Sequence, residues 1–271
     1  MNRNVTKRIP TKSIFNTLST PRSFQVAGVD GCKAGWFVAV VSTTKETSQA
    51  HAPRVFKLKY TLVASTFTEV LSKTSDCRLV CVDIPIGLSD GDGPRECDVA
   101  ARKVLGQQRA SSVFPAPIRQ CLSAKDYHEA SEISFQHSGK KLSWQSFALL
   151  DKIRQVDSIM TPQLQERVRE IHPEISFWVL NNKKPIQRNK KTVPGQAQRH
   201  KLLQQIFTDM DDILSKSPTV GFAMDDAFDA LAATWTAGQV VMGKAATLPE
   251  NPELDSKGLR MEMLCPACYN Q

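Results

Sequence analysis

Four aspartates occupy positions in this sequence where a charged side chain is costly. Asp30 and Asp83 each end a short apolar run that is typical of a buried β-strand. Asp226 and Asp229 begin an otherwise apolar stretch and, three positions apart, lie on one face of a helix. A charge at the rim of a hydrophobic core is unfavourable unless it is paired or binds a cation. The four positions therefore predict a functional site.

The chemistry that these residues favour is divalent-metal catalysis. If the first and fourth strands are neighbours, Asp30 and Asp83 lie side by side, and a helix packed there adds Asp226 and Asp229. Four carboxylates repel one another unless cations neutralise them, and oxygen ligands suit Mg²⁺ or Mn²⁺. A two-metal site of this kind activates water and stabilises the leaving oxygen in phosphodiester hydrolysis.

Each aspartate also has an ordinary structural interpretation. Asp30 could cap a turn, Asp83 could belong to a loop, and Asp225 or Asp226 could cap the helix. The coincidence of all of them in apolar surroundings favours the metal site. Asp225 is the substitute ligand if the helix is rotated by one residue, and Glu174 is a further candidate ligand.

The composition limits the class of protein. The chain has 271 residues, 41% hydrophobic and 23% charged, which is ordinary for a globular protein and excludes wholesale disorder. Thirty-five Lys and Arg against 27 Asp and Glu give a net charge of +8, which favours polyanionic partners without naming one. No run of about eighteen apolar residues occurs, so we expect no membrane span.

The order of apolar runs predicts a mixed sheet flanked by helices. The expected strands span residues 26–30, 35–41, 55–60, 79–84 and 168–171. The expected helices span residues 67–73, 96–106, 144–160, 196–214 and 225–242.

We expect one domain over residues 24–245, with a mainly helical insert at about residues 89–165 and a peripheral tail at residues 246–271. Residues 1–23 are rich in basic and hydroxyl side chains and contain no acid, so we expect a disordered tail. The composition of residues 1–22 also fits organellar import.

The seven cysteines are odd in number and scattered. This pattern indicates reduced thiols and a cytoplasmic location rather than a disulfide framework. Cys265 and Cys268 have the spacing of a metal-binding pair, but one such pair without a second is a weak signal.

Several short motifs together resemble those of a known family, over roughly residues 25–245. They are Gly28–Trp36; Val82–Leu88; Arg95, Cys97, Asp98 and Arg102; Ser111–Pro117; His172–Glu174; Lys191 and Thr192 with Gly195 and Arg199; and Asp225–Ala230. The family that they resemble is that of predicted RNase H-like nucleases, domain-of-unknown-function family 429.

That resemblance implies an RNase H-like α/β fold, in which three antiparallel strands precede parallel strands in a five-stranded sheet flanked by helices. Residues 226–232 are also similar to the last-helix acidic motif of RuvC-type junction resolvases. The similarity maps the catalytic metal site onto Asp30, Asp83, Asp226 and Asp229. It implies a divalent-metal-dependent nuclease acting on nucleic acid, and it leaves RNA, DNA, hybrid and junction substrates open.

Basic residues distributed along the chain are the candidate contacts to that substrate. Guanidinium groups suit phosphate contacts, although a solvated face or pairing with Asp98 explains the insert arginines equally well. The candidates are Lys33, Arg95, Arg102, Arg109, Arg119, Lys191 and Arg199.

Three further segments have ordinary interpretations beside functional ones. Glu174 could hold Arg199, and His172 is expected to be structural rather than a general base. Lys190 belongs to a basic loop that is either solvated or next to a phosphate backbone. The rigid segment at residues 111–117 is expected to pack under the insert rather than to touch substrate, and the alternative is that it forms a wall of the cleft.

Two other functional classes remain open at this point. One is a non-catalytic RNase H-like protein that binds nucleic acid or nucleotides, and metal binding separates it from the enzyme. The other is an actin-like or sugar-kinase-type phosphotransferase, because the Asp30-Gly31 turn followed by Gly35 resembles a phosphate loop. The chain is too short for the two subdomains of such a kinase.

Overall fold

The computed structural model describes residues 23–45, 54–217 and 220–267, and these are organised around a five-stranded sheet. In chain order its strands are β1 Ser23–Cys32, β2 Gly35–Lys45, β3 Arg54–Ala64, β4 Cys77–Val82 and β5 Val168–Glu170. Their order across the sheet is β3-β2-β1-β4-β5. Strands β1 to β3 pair antiparallel, and β4 and β5 run parallel to β1. The predicted mixed five-stranded sheet, with three antiparallel strands followed by parallel strands, is thereby confirmed.

The helices of the described ranges surround this sheet. In chain order they are α1 Phe67–Lys73, α2 Glu96–Arg109, α3 Tyr127–Ser138, α4 Trp144–Ala148, α5 Leu150–Ile159, α6 Pro162–Gln165, α7 Pro173–Leu180, α8 Val193–Gln204, α9 Met210–Ser215 and α10 Met224–Val241. The helix expected over residues 196–214 is two helices, α8 and α9, because the chain turns between them and buries Phe207 against Phe56.

Both faces of the sheet are covered, because the central strands have apolar residues on both faces. Val38 and Val40 of β2 belong to one core cluster, which includes residues of α1 and α5. Ala39 and Val41 belong to the opposite cluster, which includes most of the buried residues of α10. Helix α5 therefore forms part of the main layer, although it lies within the predicted insert.

Helix α10 crosses β1 at backbone contact. A Cβ atom on Gly28 would collide with the Ala230 carbonyl oxygen and the Thr234 backbone nitrogen. The Thr234 hydroxyl donates to the Ala39 carbonyl oxygen at 3.2 Å, which ties the helix to β2 as well. The absence of a side chain at residue 28 thus sets how closely α10 approaches the sheet.

The C-terminal segment packs against the domain, contrary to the peripheral tail expected at residues 246–271. Strands β6 Ala245–Leu248 and β7 Met263–Pro266 form an antiparallel pair. Leu264 bridges to Ile171 just beyond β5, and Met263 is buried. The prolines of this segment suggested a loose tail, whereas all four residues of β7 are buried and the strand lies beside the end of β5.

Some predictions fall outside the described residues. The basic tail and the import segment lie before Ser23, and Cys268 of the cysteine pair follows Ala267. The domain limits stay a prediction. Within the described residues, no helix is both long and apolar enough to cross a membrane.

We predict that Gly28→Ala lowers the free energy of unfolding by about 1–3 kcal/mol, since the added methyl forces α10 away from β1. Urea denaturation measures this loss. Gly31→Ala is the matched control on the same strand, because its Cβ would meet only the flexible Lys152 side chain. Equal midpoints for Gly28→Ala and the wild type would contradict the proposed role of this contact.

Candidate metal centre

Two of the predicted aspartates are adjacent because β1 and β4 are parallel neighbours. Val29 is in register with Val82, and the Asp83 backbone N–H donates to the Val29 carbonyl oxygen at 3.0 Å. Asp30 and Asp83 each come one residue after this pair, so they lie side by side on the two neighbouring strands. Asp30 is buried and Asp83 is half-buried.

Helix α10 adds the third carboxylate. Asp229 is only 1% exposed, one residue before the Ala230 contact with β1. Its Oδ2 atom accepts a hydrogen bond from the Lys190 ammonium at 2.5 Å. Its Oδ1 atom is buried and has no hydrogen-bond partner in the described part of the chain. A buried carboxylate oxygen without a partner is a position where a cation is favoured.

Burial and neighbouring negative charges raise the pKa values of the three carboxylates. Burial, followed by the charges of Asp83 and Asp229, raises the pKa of Asp30 well above its usual value. Burial likewise raises the pKa of Asp83. It raises the pKa of Asp229 to about 6, although Lys190 opposes that shift. Burial disfavours the charge on Lys190, but Asp229 and Asp30 outweigh it and raise the pKa of the ammonium.

Asp226 has the helix-capping contact that the sequence analysis left open, and its role as a metal ligand stays a prediction. Its Oδ2 atom accepts the Ala223 backbone N–H at 2.8 Å, which caps the start of α10. Asp226 still borders the same pocket as Asp30 and Asp229. Asp225, the substitute ligand, is buried and is not among the residues that line this pocket.

The aspartates line a pocket of about 360 Å³. One wall carries the acids, and the others carry basic, polar and apolar side chains from the insert and from the loop before α8. The residues that line the pocket include Asp30, Asp83, Asp226, Asp229, Arg109, Phe114, Lys152, His172, Glu174 and Lys190.

The loop that carries Lys190 is held by short-range contacts. Thr192 caps α8, and both its backbone N–H and its hydroxyl donate to the Asn189 carbonyl oxygen, at 3.1 and 2.8 Å. A Cβ on Gly195 would collide with that same carbonyl. Arg199, fully buried, donates to the Arg188 carbonyl at 3.3 Å. The sequence motif at residues 191–199 thus fixes the position of Lys190.

Glu174 is occupied by two arginines rather than open to a metal. Its Oε1 atom pairs with Arg199 and, at 2.7 Å, with Arg109. Burial alone would raise the pKa of Glu174, but the two guanidinium groups lower it. The pairing with Arg199 is the alternative that the sequence left open for Glu174.

His172 has both ring nitrogens engaged. Its Nδ1 atom accepts the Glu174 backbone N–H, which caps α7, and its Nε2 atom lies 3.2 Å from the Ser112 carbonyl oxygen. The first contact requires a lone pair on Nδ1, so the proton is on Nε2, where it is donated. His172 therefore has the structural role expected from the sequence.

The predicted substrate contacts are dispersed. Lys33 and Lys191 are exposed, and of the seven candidates only Arg95 and Arg109 line the pocket. Arg102 donates to the Val113 carbonyl oxygen, and Arg119 pairs with Asp157 and Asp255. Contact of these residues with substrate stays a prediction.

Arg95 forms the centre of a buried ionic cluster. It pairs with Glu170 at 2.6 Å and with Asp98 at 2.7 Å, and it donates to the Gly87 carbonyl oxygen at 3.0 Å. Cys97, Asp98 and Glu170 also offer three ligand atoms within 4.8 Å of one another, the one such group among the described residues. Because the guanidinium already neutralises both carboxylates, this cluster is better suited to structure than to metal binding.

Two pocket residues were not recognised as functional in the sequence. Lys152, on α5, donates to the Gly35 carbonyl oxygen at 2.8 Å and lies over the Trp36 ring. Phe114, in the segment expected to pack under the insert, is 44% exposed at the pocket. Neither has a sequence signal, because only the folding of the insert brings them here.

The chain has matches to a protein family and to a solved structure. Residues 28–254 match the model of a family described as "Protein of unknown function (DUF429)". A search of curated proteins finds no match. Among solved structures, the chain is similar to RuvC of Thermus thermophilus, with 10% identity, coverage of 81% of this chain and 97% of that one, and a TM-score of 0.31.

We predict that Asp30→Asn stabilises the metal-free protein at neutral pH, because it removes a buried charge that the carboxylates of Asp83, Asp229 and Asp226 repel. A raised pKa means that the folded chain binds more protons than the unfolded chain. Wild-type stability therefore falls as the pH rises above the ordinary carboxyl range. In EDTA we expect a Tm gain of roughly 2–4 °C for about 1 kcal/mol at neutral pH, with no gain near about pH 4.

Calorimetry across that pH range measures the difference, with the exposed Asp92→Asn as the matched control. A lower Tm for Asp30→Asn at neutral pH would show that the fold compensates this charge completely.

Proposed function

This chain belongs to the DUF429 family, and from that premise and the geometry of the acidic pocket we propose that it is a divalent-metal-dependent nuclease. The fold supports the proposal at the level of chemistry class, since it places acids at the carboxyl ends of neighbouring parallel strands. The substrate proposed is a phosphodiester bond of nucleic acid.

One observation carries the proposal. Within the part of the chain that the structure describes, the Oδ1 atom of Asp229 is buried without a hydrogen-bond partner, in the same pocket as the carboxylates of Asp30 and Asp83. Three hard oxygen donors with a residual negative charge fit Mg²⁺ or Mn²⁺ better than a soft metal. These three aspartates are the residues that would hold the cation.

A divalent cation at such a site supplies Lewis-acid polarisation of a phosphoryl oxygen and a nucleophile at neutral pH. His172 is not needed as a base and is not available as one, because both its nitrogens are engaged. The chain's own acids thus act by holding charge in place, and no side chain of the pocket has to exchange a proton with the substrate.

The opposite wall of the pocket suits the rest of a nucleotide. Lys152 is half-buried and Arg109 is 18% exposed, and both line the pocket. Their positive charges would offset the negative charge of a phosphate bound there. Phe114 presents an exposed ring, and aromatic rings stack on any base without reading its identity. The net charge of +8 favours approach of a polyanion.

A non-catalytic nucleic-acid-binding protein is the second candidate function. The observation that favours it is the Lys190 ammonium, which already neutralises part of the acidic charge without a metal. Such a protein would bind nucleic acid equally with and without divalent cations.

We predict that Mg²⁺ or Mn²⁺ supports cleavage of at least one substrate from a panel of single-stranded RNA, single-stranded DNA, RNA–DNA hybrid and four-way junction. Asp30→Asn and Asp229→Asn should each lower kcat by about 100-fold or more, which corresponds to about 3 kcal/mol of lost transition-state stabilisation. Denaturing gels of end-labelled substrates measure the rates.

The control is Asp92→Asn, which removes an exposed acid far from the three carboxylates in sequence and should cleave at the wild-type rate. Binding without cleavage, or equal cleavage by wild type and the two pocket variants, would replace the nuclease with the binding protein.

A further inference from the structure

The Lys190 ammonium has no part in the two-metal chemistry expected from the sequence, yet it is the cation that the structure places among the acids. It pairs with Asp229, and its charge also acts on Asp30 and Asp83. We propose that the pocket binds one divalent cation instead of two, because Lys190 holds the place of the second. This inference rests on the proposed function and specifies its cofactor.

The count of charges supports a single cation. Asp30, Asp83 and Asp229 carry three negative charges when ionised, and Lys190 returns one positive charge. The remaining charge of minus two matches one Mg²⁺ or Mn²⁺. Two divalent cations together with Lys190 would exceed the carboxylates by two positive charges, in a buried site where uncompensated charge is strongly unfavourable.

Four other acids line the pocket, and the charge of each is offset separately. Asp98 and Glu170 pair with Arg95, and Glu174 pairs with Arg109 and Arg199. Asp226 keeps its negative charge, but it is half-exposed and accepts the Ala223 backbone N–H at the start of α10, where solvent and the positive end of the helix dipole offset that charge. The count above therefore covers Asp30, Asp83 and Asp229.

Independent evidence of a cation site comes from the side of Asp229 that faces away from Lys190. Lys190 bonds Oδ2, whereas Oδ1 is buried and unpartnered within the described residues. One carboxylate thus has one oxygen on a fixed ammonium and one oxygen left for a ligand. Lys190 therefore neutralises the Oδ2 side of Asp229, and a divalent cation would bind on the Oδ1 side.

The position of Lys190 is a built feature of the fold. The Asn189 carbonyl accepts two hydrogen bonds from Thr192, and the lack of a side chain at Gly195 lets that carbonyl approach α8. Arg199 holds the Arg188 carbonyl on the other side of Lys190. The loop is therefore braced on both sides of the lysine, and the ammonium is a fixed counter-ion.

The test is calorimetric titration of the full chain, stripped with EDTA, with Mn²⁺ and no nucleic acid. Mn²⁺ prefers oxygen ligands, so the buried thiols do not compete for it. We expect one Mn²⁺ per wild-type chain and none at this site in Asp30→Asn. In Lys190→Gln we expect either a second Mn²⁺ or a first one that binds about tenfold tighter or more.

Two variants control for the charge and for the loop. Lys190→Arg keeps the charge and should bind one Mn²⁺, as wild type does. Lys191→Gln removes the exposed neighbouring lysine and should bind one Mn²⁺ with unchanged affinity. Circular dichroism verifies that each variant is folded, and the wild-type stoichiometry is informative without any variant.

The outcomes separate this inference from the proposed function. Two Mn²⁺ per wild-type chain would overturn the inference and leave the nuclease proposal standing. One Mn²⁺ in both wild type and Lys190→Gln, at equal affinity, would also overturn it. No Mn²⁺ binding at all would remove the metal-dependent activity itself, and the inference with it.

Discussion

The backbone contact between α10 and β1 is the constraint from which the rest of the site follows. Gly28 allows the helix to meet the strand at the Ala230 carbonyl, and Asp229 precedes Ala230 by one residue. Asp30 lies two residues after Gly28 on the same strand. The close approach that packs the core therefore also brings the third carboxylate to the first, and stability and site geometry depend on one contact.

Electrostatics decide what this geometry can do. Burial and neighbouring carboxylates raise the pKa values of Asp30, Asp83 and Asp229, so the fold maintains an arrangement that is unfavourable without a cation. Lys190 offsets part of this charge, and a divalent cation would offset the remainder. Glu174 shows the contrast, because two arginines pair with it and lower its pKa. A buried carboxylate oxygen without a partner among the described residues, as in Asp229, is the feature that distinguishes a candidate ligand from a structural carboxylate.

The sequence predicted the elements whose patterns are local. Apolar runs ending in Asp30 and Asp83 located the two central strands, and their pairing confirmed that these acids are neighbours. It left open whether Asp226 caps α10 or binds a metal, because Asp226 and Asp229 share one helical face, and it could not predict that Asp229 pairs with Lys190. Contacts between distant segments, such as Lys152 beside Gly31, have no sequence pattern. The C-terminal pairing with Ile171 was missed for the same reason.

A crystal structure of the full chain soaked in Mn²⁺, with anomalous diffraction, tests the central claim most directly. The account predicts one anomalous peak in contact with the carboxylates of Asp30, Asp83 and Asp229, with the Lys190 ammonium retained beside Asp229. A peak at Asp98 and Glu170, or none among the three aspartates at saturating Mn²⁺, would contradict it.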